Sequence, residues 1–379
     1  MAFFRPFALE RYFAEYEFDL RFLLSSSDCE TMSTQALLDL EPGSRDEYLR
    51  LTLGYTETRG DPKLRSELSR LYSELGPESI MVHAGAEEAI LDFFLAALSP
   101  GDHVVVNFPC YQSLMEIPRA LGCAVDPWPL RQEGGRWVFD IDALARLLEP
   151  RTRLVVLNAP HNPTGALPTR EEFDAIVALC AKAGALLFSD EVYRGLERDP
   201  GRRLPAACEV YESAVSLNVL SKSAGLPGLR IGWLATRRAD LLDAVASVKD
   251  YGTICSSAPS EFLAGVAVRH LGILVDRCRA MIASNLPVVG SFFARRGDFA
   301  SWTEPEGGSI GFPRLADRAL AGFRDAESLS RRLAAEASVM ILPGSCYSYG
   351  GAHFRLGLGR ASLPDALSAL EDWLDRRPS

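Results

Sequence analysis

Between residues 78 and 236 the chain alternates short, nearly continuous apolar runs with amphipathic stretches, and nothing else in the sequence restricts its fold as much. The runs lie at 80–83, 103–108, 154–157, 185–189, 214–219 and 231–235; helical patterns lie between or after them at 87–98, 111–121, 170–183 and 239–248. A strand that is apolar throughout, rather than at alternate positions, is buried on both faces. Such strands separated by helices predict an α/β fold with a mainly parallel sheet sandwiched by helices. Past about residue 256 the pattern changes. A long helical stretch runs to about residue 296, with an interruption expected at Pro287. Short strand candidates at 309–313, 339–342 and 354–358 then mix with helices at 325–336 and 364–376. At roughly 150 residues per domain, 379 residues suit two units. The expected division is a large domain over 41–255, a smaller C-terminal α/β domain over 256–379, and an N-terminal segment, 1–40, packing on the small domain or on a partner subunit.

Charge and cysteine usage exclude several classes. Forty basic against fifty acidic residues give a net charge of −10, which repels phosphate backbones and argues against a nucleic-acid partner. The eight cysteines form no CxxC pair, so zinc-ribbon and thioredoxin chemistry fail and no metal site is expected. They read as small buried hydrophobes of a protein kept in the reducing cytoplasm. No apolar run reaches the roughly 18 residues of a membrane span, and MAFFRPFALERYF lacks the apolar core of a signal peptide.

Five segments carry chemistry: HAGAEEAI (83–90), NAPHNPTG (158–165), SDEVYRG (189–195), SKSAGLPGLRIGW (221–233) and FRLGLGR (354–360). Each falls at or just past the end of a predicted strand, the edge at which open α/β sheets bind ligands. Lys222 follows a strand and is followed at a distance by Arg230. Alone it reads as a solvated loop lysine; at a sheet edge it reads as a Schiff-base lysine, with Arg230 gripping a phosphate. Asp190 is ordinarily a helix cap or half an ion pair, but beside an aromatic nitrogen heterocycle it can hold the ring protonated. Tyr193 and Asn162 can both donate to one ring oxygen, although a core aromatic and a plain turn are the blander readings. Ala86 and Glu87 stand where a strand hands over to a helix, so free N–H groups there form an anion site.

The order and spacing of NAPHNPTG, SDEVYRG and SKSAGLPGLRIGW resemble the class I/II aminotransferases, over about residues 55–360. The resemblance implies a fold-type I enzyme that uses pyridoxal 5'-phosphate (PLP) and acts on a small amino acid substrate. It implies Lys222 as the Schiff-base and catalytic residue, with Asp190 at the pyridine nitrogen. Asn162 and Tyr193 are implied at the phenolic oxygen and Tyr111 against the ring. Ala86, Glu87, Ser221 and Arg230 would surround the phosphate, and Arg355 would clamp the substrate α-carboxylate beside Asn162. It also implies a homodimer in which Tyr55 reaches the neighbour's phosphate.

Two departures stand out. Val219 occupies a position where many members carry a phosphate-contacting serine, a contact Ser221 can take over. PEGGSIGF (305–312) lacks the aromatic often found after PEGG, which predicts a roomier pocket if that strand lines it. The expected reaction is transamination. The alternative is a PLP-dependent cyclase or lyase, since FALERYFAEYEF and FPCYQSL look like the capreomycidine-synthase-like branch, which acts on a hydroxylated arginine.

Overall fold

The computed structural model describes residues 3–376. Its main sheet has eight strands in the spatial order Ile80–His83, Gly232–Ala235, Ala214–Val219, Leu186–Asp190, Thr152–Asn158, His103–Phe108, Ala124–Glu133 and Arg136–Phe139. Gly232–Ala235 and Arg136–Phe139 run antiparallel to their neighbours; every other neighbouring pair is parallel. The apolar runs form these strands because both faces are covered. Phe93 and Phe94 of the helix Ala86–Ala97 pack on Phe188 from one face, with the Phe93 and Phe188 rings stacked at 4.8 Å. Phe173 and Ile176 of Arg170–Ala183 belong to the cluster on the other. That second helix has the bounds its sequence predicts. Thr169 and Glu172 close a reciprocal capping box at its start, and Gly184 ends it in the left-handed conformation.

Two elements differ from expectation. Ala124–Glu133 and Arg136–Phe139 form a hairpin that the pattern of 124–139 conceals, because Pro127 and Pro129 interrupt it. The hairpin partner reaches only Leu130–Glu133, so the outer side of 124–129 is an open edge. Two residues apart, both prolines present their missing N–H groups to the same side, and that open edge can accept them. The long helix is not broken at Pro287 but runs unbroken over Leu271–Arg295. A proline inside a helix costs roughly 3 kcal/mol. Leu274, Cys278, Ile282, Val289, Phe292 and Phe293 are buried along this helix, and burying even a few such side chains at about 1.5–3 kcal/mol each outweighs the cost. The break falls instead at His270, where the preceding helix Ala258–Arg269 meets it at 78°.

The C-terminal part contains a three-stranded sheet ordered Ile310–Gly311, Phe354–Gly357, Leu342–Pro343. Part of the N-terminal segment packs here, but not all of it: Ala8 N donates to Gln112 Oε1 at 2.8 Å, and Leu37 and Leu38 join the cluster of Leu64, Ile80 and Val82. Phe22–Leu23 pairs in parallel with Val339–Met340. The helix Ala8–Tyr16 is held by Arg331, which donates to Glu15 at 2.8 Å and to the Tyr16 hydroxyl at 3.0 Å. Residues 24–31 then run along the strand carrying Arg355, with Gly357 N donating to Leu24 O and Glu30 N to Gly359 O, each at 2.7 Å. Among the described residues no single helix is long and apolar enough to cross a membrane.

Candidate active site

The C-terminal ends of Leu186–Asp190, Thr152–Asn158 and Ala214–Val219, with the turn after Ile80–His83, open onto one cavity of about 530 Å³. Ala86, Glu87, Tyr111, Asn162, Asp190, Tyr193, Ser221, Lys222, Arg230 and Arg355 all line it. Ten of the eleven residues singled out in the sequence are thus brought together. Tyr55 is not: it is 92% exposed and lies outside the cavity. The PEGGSIGF strand does not line the cavity either. Ser309 is buried and donates to Ser27 O at 2.6 Å, and Gly311 faces the Trp302 ring. The segment therefore supports the cavity wall from behind, and the extra room expected from its small side chains is not there.

Backbone constraints place the cationic groups. Gly85 has φ +94°, and a Cβ there would collide with the Arg230 guanidinium. A Cβ on Gly232 would lie 2.9 Å from the Gly85 carbonyl carbon and 3.0 Å from Ala86 N. Both positions require glycine so that the strand can press against the turn that starts the helix Ala86–Ala97. The first N–H groups of that helix have no side-chain cap. Arg230, beside them, adopts φ +53°, a conformation costly for a residue with a side chain and concentrated at functional sites.

Lys222 Nζ donates to Ser27 Oγ at 2.8 Å. Burial pulls the lysine below its ordinary pKa, and Arg355 and Arg230 add to this against the opposing pull of Asp28. Asp190, 5% exposed, accepts from Val192 N at 3.3 Å. Burial pushes its pKa up to about 7, with Glu191 and Glu87 adding to the rise. Burial likewise raises Glu87 to about 7, although its carboxylate accepts from Ser113 Oγ at 2.6 Å. The Tyr193 hydroxyl is buried and, with Ser27 the nearby polar side chain, makes no well-formed hydrogen bond among the described residues.

Asn162 is anchored through a chain of amides. Its N–H donates to Asn158 Oδ1 at 2.6 Å, and Asn158 Nδ2 donates to Asp190 O at 3.0 Å. Its own Oδ1 accepts from the Tyr347 hydroxyl at 2.9 Å and from an Arg355 Nη1 at 3.5 Å. Arg355 is 2% exposed. Its Nε donates to Ser25 O at 3.0 Å and its Nη1 to the Tyr347 hydroxyl at 2.6 Å. The rings of Phe13 and Tyr347 lie 5.8 and 5.9 Å from its guanidinium carbon. No carboxylate of the described residues pairs with it.

Sequence reasoning missed the wall contributed by the N-terminus. Leu9, Glu10, Phe13 and Glu17 from the first helix and its end, with Ser27 and Asp28 behind them, line the cavity. The spacing 10, 13, 17 puts these three on one helical face, and that was the legible signal. Glu10 accepts from the Tyr111 hydroxyl at 3.2 Å and Asp28 from Arg360 at 2.8 Å. Glu17 has no hydrogen bond or ion pair from its carboxylate among the described residues; burial first, then Asp28 and Glu10, raise its pKa. The cavity wall therefore mixes charges: Lys222, Arg230 and Arg355 stand with Glu87 and Asp190, while Glu10 and Glu17 stand with the Asp28–Arg360 pair.

A large, mainly parallel sheet with this cavity at its strand ends is the fold of the type I PLP-dependent transferases. The chain belongs to the family Aminotransferase class I and II, whose model matches residues 23–369. Capreomycidine synthase of Streptomyces vinaceus is 32% identical over 97% of this chain and 93% of its own. A PLP-dependent aminotransferase from Streptococcus suis superposes with a TM-score of 0.91 at 28% identity, covering 99% of both chains. The PLP-dependent cyclase OrfR superposes with a TM-score of 0.90 at 29% identity, over 99% of this chain and 98% of that one. The protein is accordingly an enzyme of the PLP-dependent aminotransferase and cyclase type.

Proposed function

We propose that the protein holds PLP on Lys222 and transaminates an amino acid whose side chain ends in a cation. The observation that carries this reading is the convergence of Lys222, Asp190, Tyr193, Asn162 and Arg355, from separate segments, on one cavity. The chain's unspent groups suit the cofactor. Asp190 is a buried carboxylate that feels the charge of Lys222 but makes no ion pair among the described residues, fit for a protonated ring nitrogen. The buried Tyr193 hydroxyl on the cavity wall suits the phenolic oxygen, and the uncapped helix start with Ser221 and Arg230 suits the phosphate. Tyr111 supplies a flat wall for the ring.

When bound, the cofactor accepts the electron pair left at Cα after proton removal. Lys222, with its pKa depressed, is the base that takes that proton. Arg355 grips the α-carboxylate, because a buried guanidinium without a counter-ion is a receptor for one. Glu17, beside Glu10 and the Asp28–Arg360 pair, receives the cationic far end of the substrate, since its own carboxylate has no ion-pair partner among the described residues.

A second reading is cyclisation or elimination on the same substrate class. Near full-length similarity to capreomycidine synthase and to OrfR favours it. The two readings differ in stoichiometry: a transaminase needs a second, keto-acid substrate, and a cyclase does not. Incubation with arginine, hydroxylated arginine, leucine and aspartate, each with and without a keto acid, followed by mass analysis, separates them. Amino-group exchange with arginine only when keto acid is present supports transamination. Loss of water from hydroxylated arginine without keto acid, and no exchange, replaces it with the second reading.

We further assign residues 41–255 to the cofactor-binding domain and 256–379 to the small domain of a cytoplasmic homodimer. Support for the dimer comes from Leu49, Leu53, Tyr55, Tyr251 and Ile254, all more than half exposed. Thr56 Oγ1 donates to Ser256 O at 3.1 Å, joining the two segments that carry them. Tyr55 would then complete the partner's site.

A further inference from the structure

We infer that Tyr347 is a positioning residue of the carboxylate clamp, its hydroxyl fixing at once the guanidinium of Arg355 and the rotamer of the Asn162 amide. This rests on the reading of Arg355 as the receptor for the substrate α-carboxylate. Tyr347 does not line the cavity; it stands behind the two residues that do.

The inventory of protons compels the arrangement. Arginine has donors only, so in the 2.6 Å contact the Tyr347 oxygen must accept from Arg355 Nη1. The single hydroxyl proton is then free for the other neighbour, Asn162 Oδ1, at 2.9 Å. That fixes which end of the Asn162 side chain faces Tyr347. The carbonyl oxygen points inward, where Arg355 also reaches it at 3.5 Å, and the NH₂ group points away. A flipped amide would set its NH₂ against the guanidinium, donor against donor. Asn162 Nδ2 donates to no described residue, and Asn162 lines the cavity. Its two protons are therefore presented to the ligand.

Arg355 is held in the same way. Its Nε is committed to Ser25 O at 3.0 Å and one Nη1 proton to Tyr347. A planar fork pinned at those two atoms can swing no further, and its Nη2 side is left for a carboxylate. The hydroxyl stays neutral at working pH, because burial lifts it to about 12 even with Arg355 beside it. Its ring is held edge-on by Phe312 at 5.9 Å, so Tyr347→Phe removes the hydroxyl while keeping the packing.

The test is calorimetric, on the holoenzyme, with 4-guanidinobutyrate and propylguanidine, two probes that differ only in the carboxylate. For Tyr347→Phe the Kd of 4-guanidinobutyrate should rise about tenfold and that of propylguanidine stay put. KM for the amino acid substrate should rise by a similar factor, with kcat changed much less. Asn162→Ala should weaken 4-guanidinobutyrate comparably, and the double variant should lose no more than the worse single one. An unchanged affinity in Tyr347→Phe, equal weakening of both probes, or additive losses in the double variant would each overturn the inference while leaving Arg355 as the receptor. A wild-type protein that gains nothing from the carboxylate would overturn both.

Discussion

Asp190 enters the cavity wall almost fully buried, and burial lifts its pKa to about 7 against an ordinary 3.8. Between those values the unfolded chain ionises this carboxyl while the folded apoprotein keeps it protonated. The folded state then binds more protons than the unfolded one, so its stability falls as pH rises from about 4 to 7. Glu87 and Glu261, both also raised by burial to about 7, act in the same direction. Asp190→Asn should therefore reduce the loss of apoprotein Tm across that window; a slope identical to wild type would contradict the burial argument. The same substitution should weaken cofactor retention, because an amide oxygen brings no negative charge to a protonated ring nitrogen. Arg355 makes the complementary case. Arg355→Lys cannot reproduce a two-point grip on a carboxylate, so kcat/KM should fall at least about tenfold, some 1.4 kcal/mol, with cofactor content unchanged. Equal turnover of an amino acid and its decarboxylated amine by the wild type would remove that role.

The helix Ala8–Tyr16 and the residues after it set the far wall of the cavity, and they mark where legibility ended. The catalytic edge could be read because strand ends, glycines and a few polar residues sit at short spacings: 80–83, 103–108 and 214–219 are strands with those bounds, and Arg170–Ala183 is flanked by its own caps. The hairpin at 124–139 could not be read, since its prolines are admissible only on an edge that pairing creates. Nor could the continuity of Leu271–Arg295 through Pro287, which depends on tertiary burial. Glu10, Phe13 and Glu17 carried helical spacing, but the surface they would face is more than 100 residues distant in sequence, as the contact of Glu10 with Tyr111 shows. Their consequence is a specificity prediction: Glu17→Gln should lower kcat/KM for a cationic substrate about tenfold, one lost charge-assisted contact, and should spare or raise that for leucine. A uniform loss over both substrates would mean that Glu17 serves the fold and not recognition.

At the scale of the molecule, the cavity joins elements from the first helix to the strand Phe354–Gly357, yet Tyr55 stays outside it. If a second copy supplies that residue, each site needs two chains. Mixing Tyr55→Phe with Lys222→Ala subunits should then regenerate one intact site per hybrid, and activity should exceed the average of the parents; a fully active monomer in sedimentation would end that argument. All of this hangs on Lys222, whose removal should cost at least about a hundredfold in turnover as the loss of a general base. The decisive measurement is borohydride reduction of the purified holoenzyme followed by peptide mass mapping. The account predicts loss of the yellow colour and a pyridoxyl adduct on the peptide containing Lys222. An adduct on Lys63, Lys182 or Lys249 instead, or none at all, would contradict it.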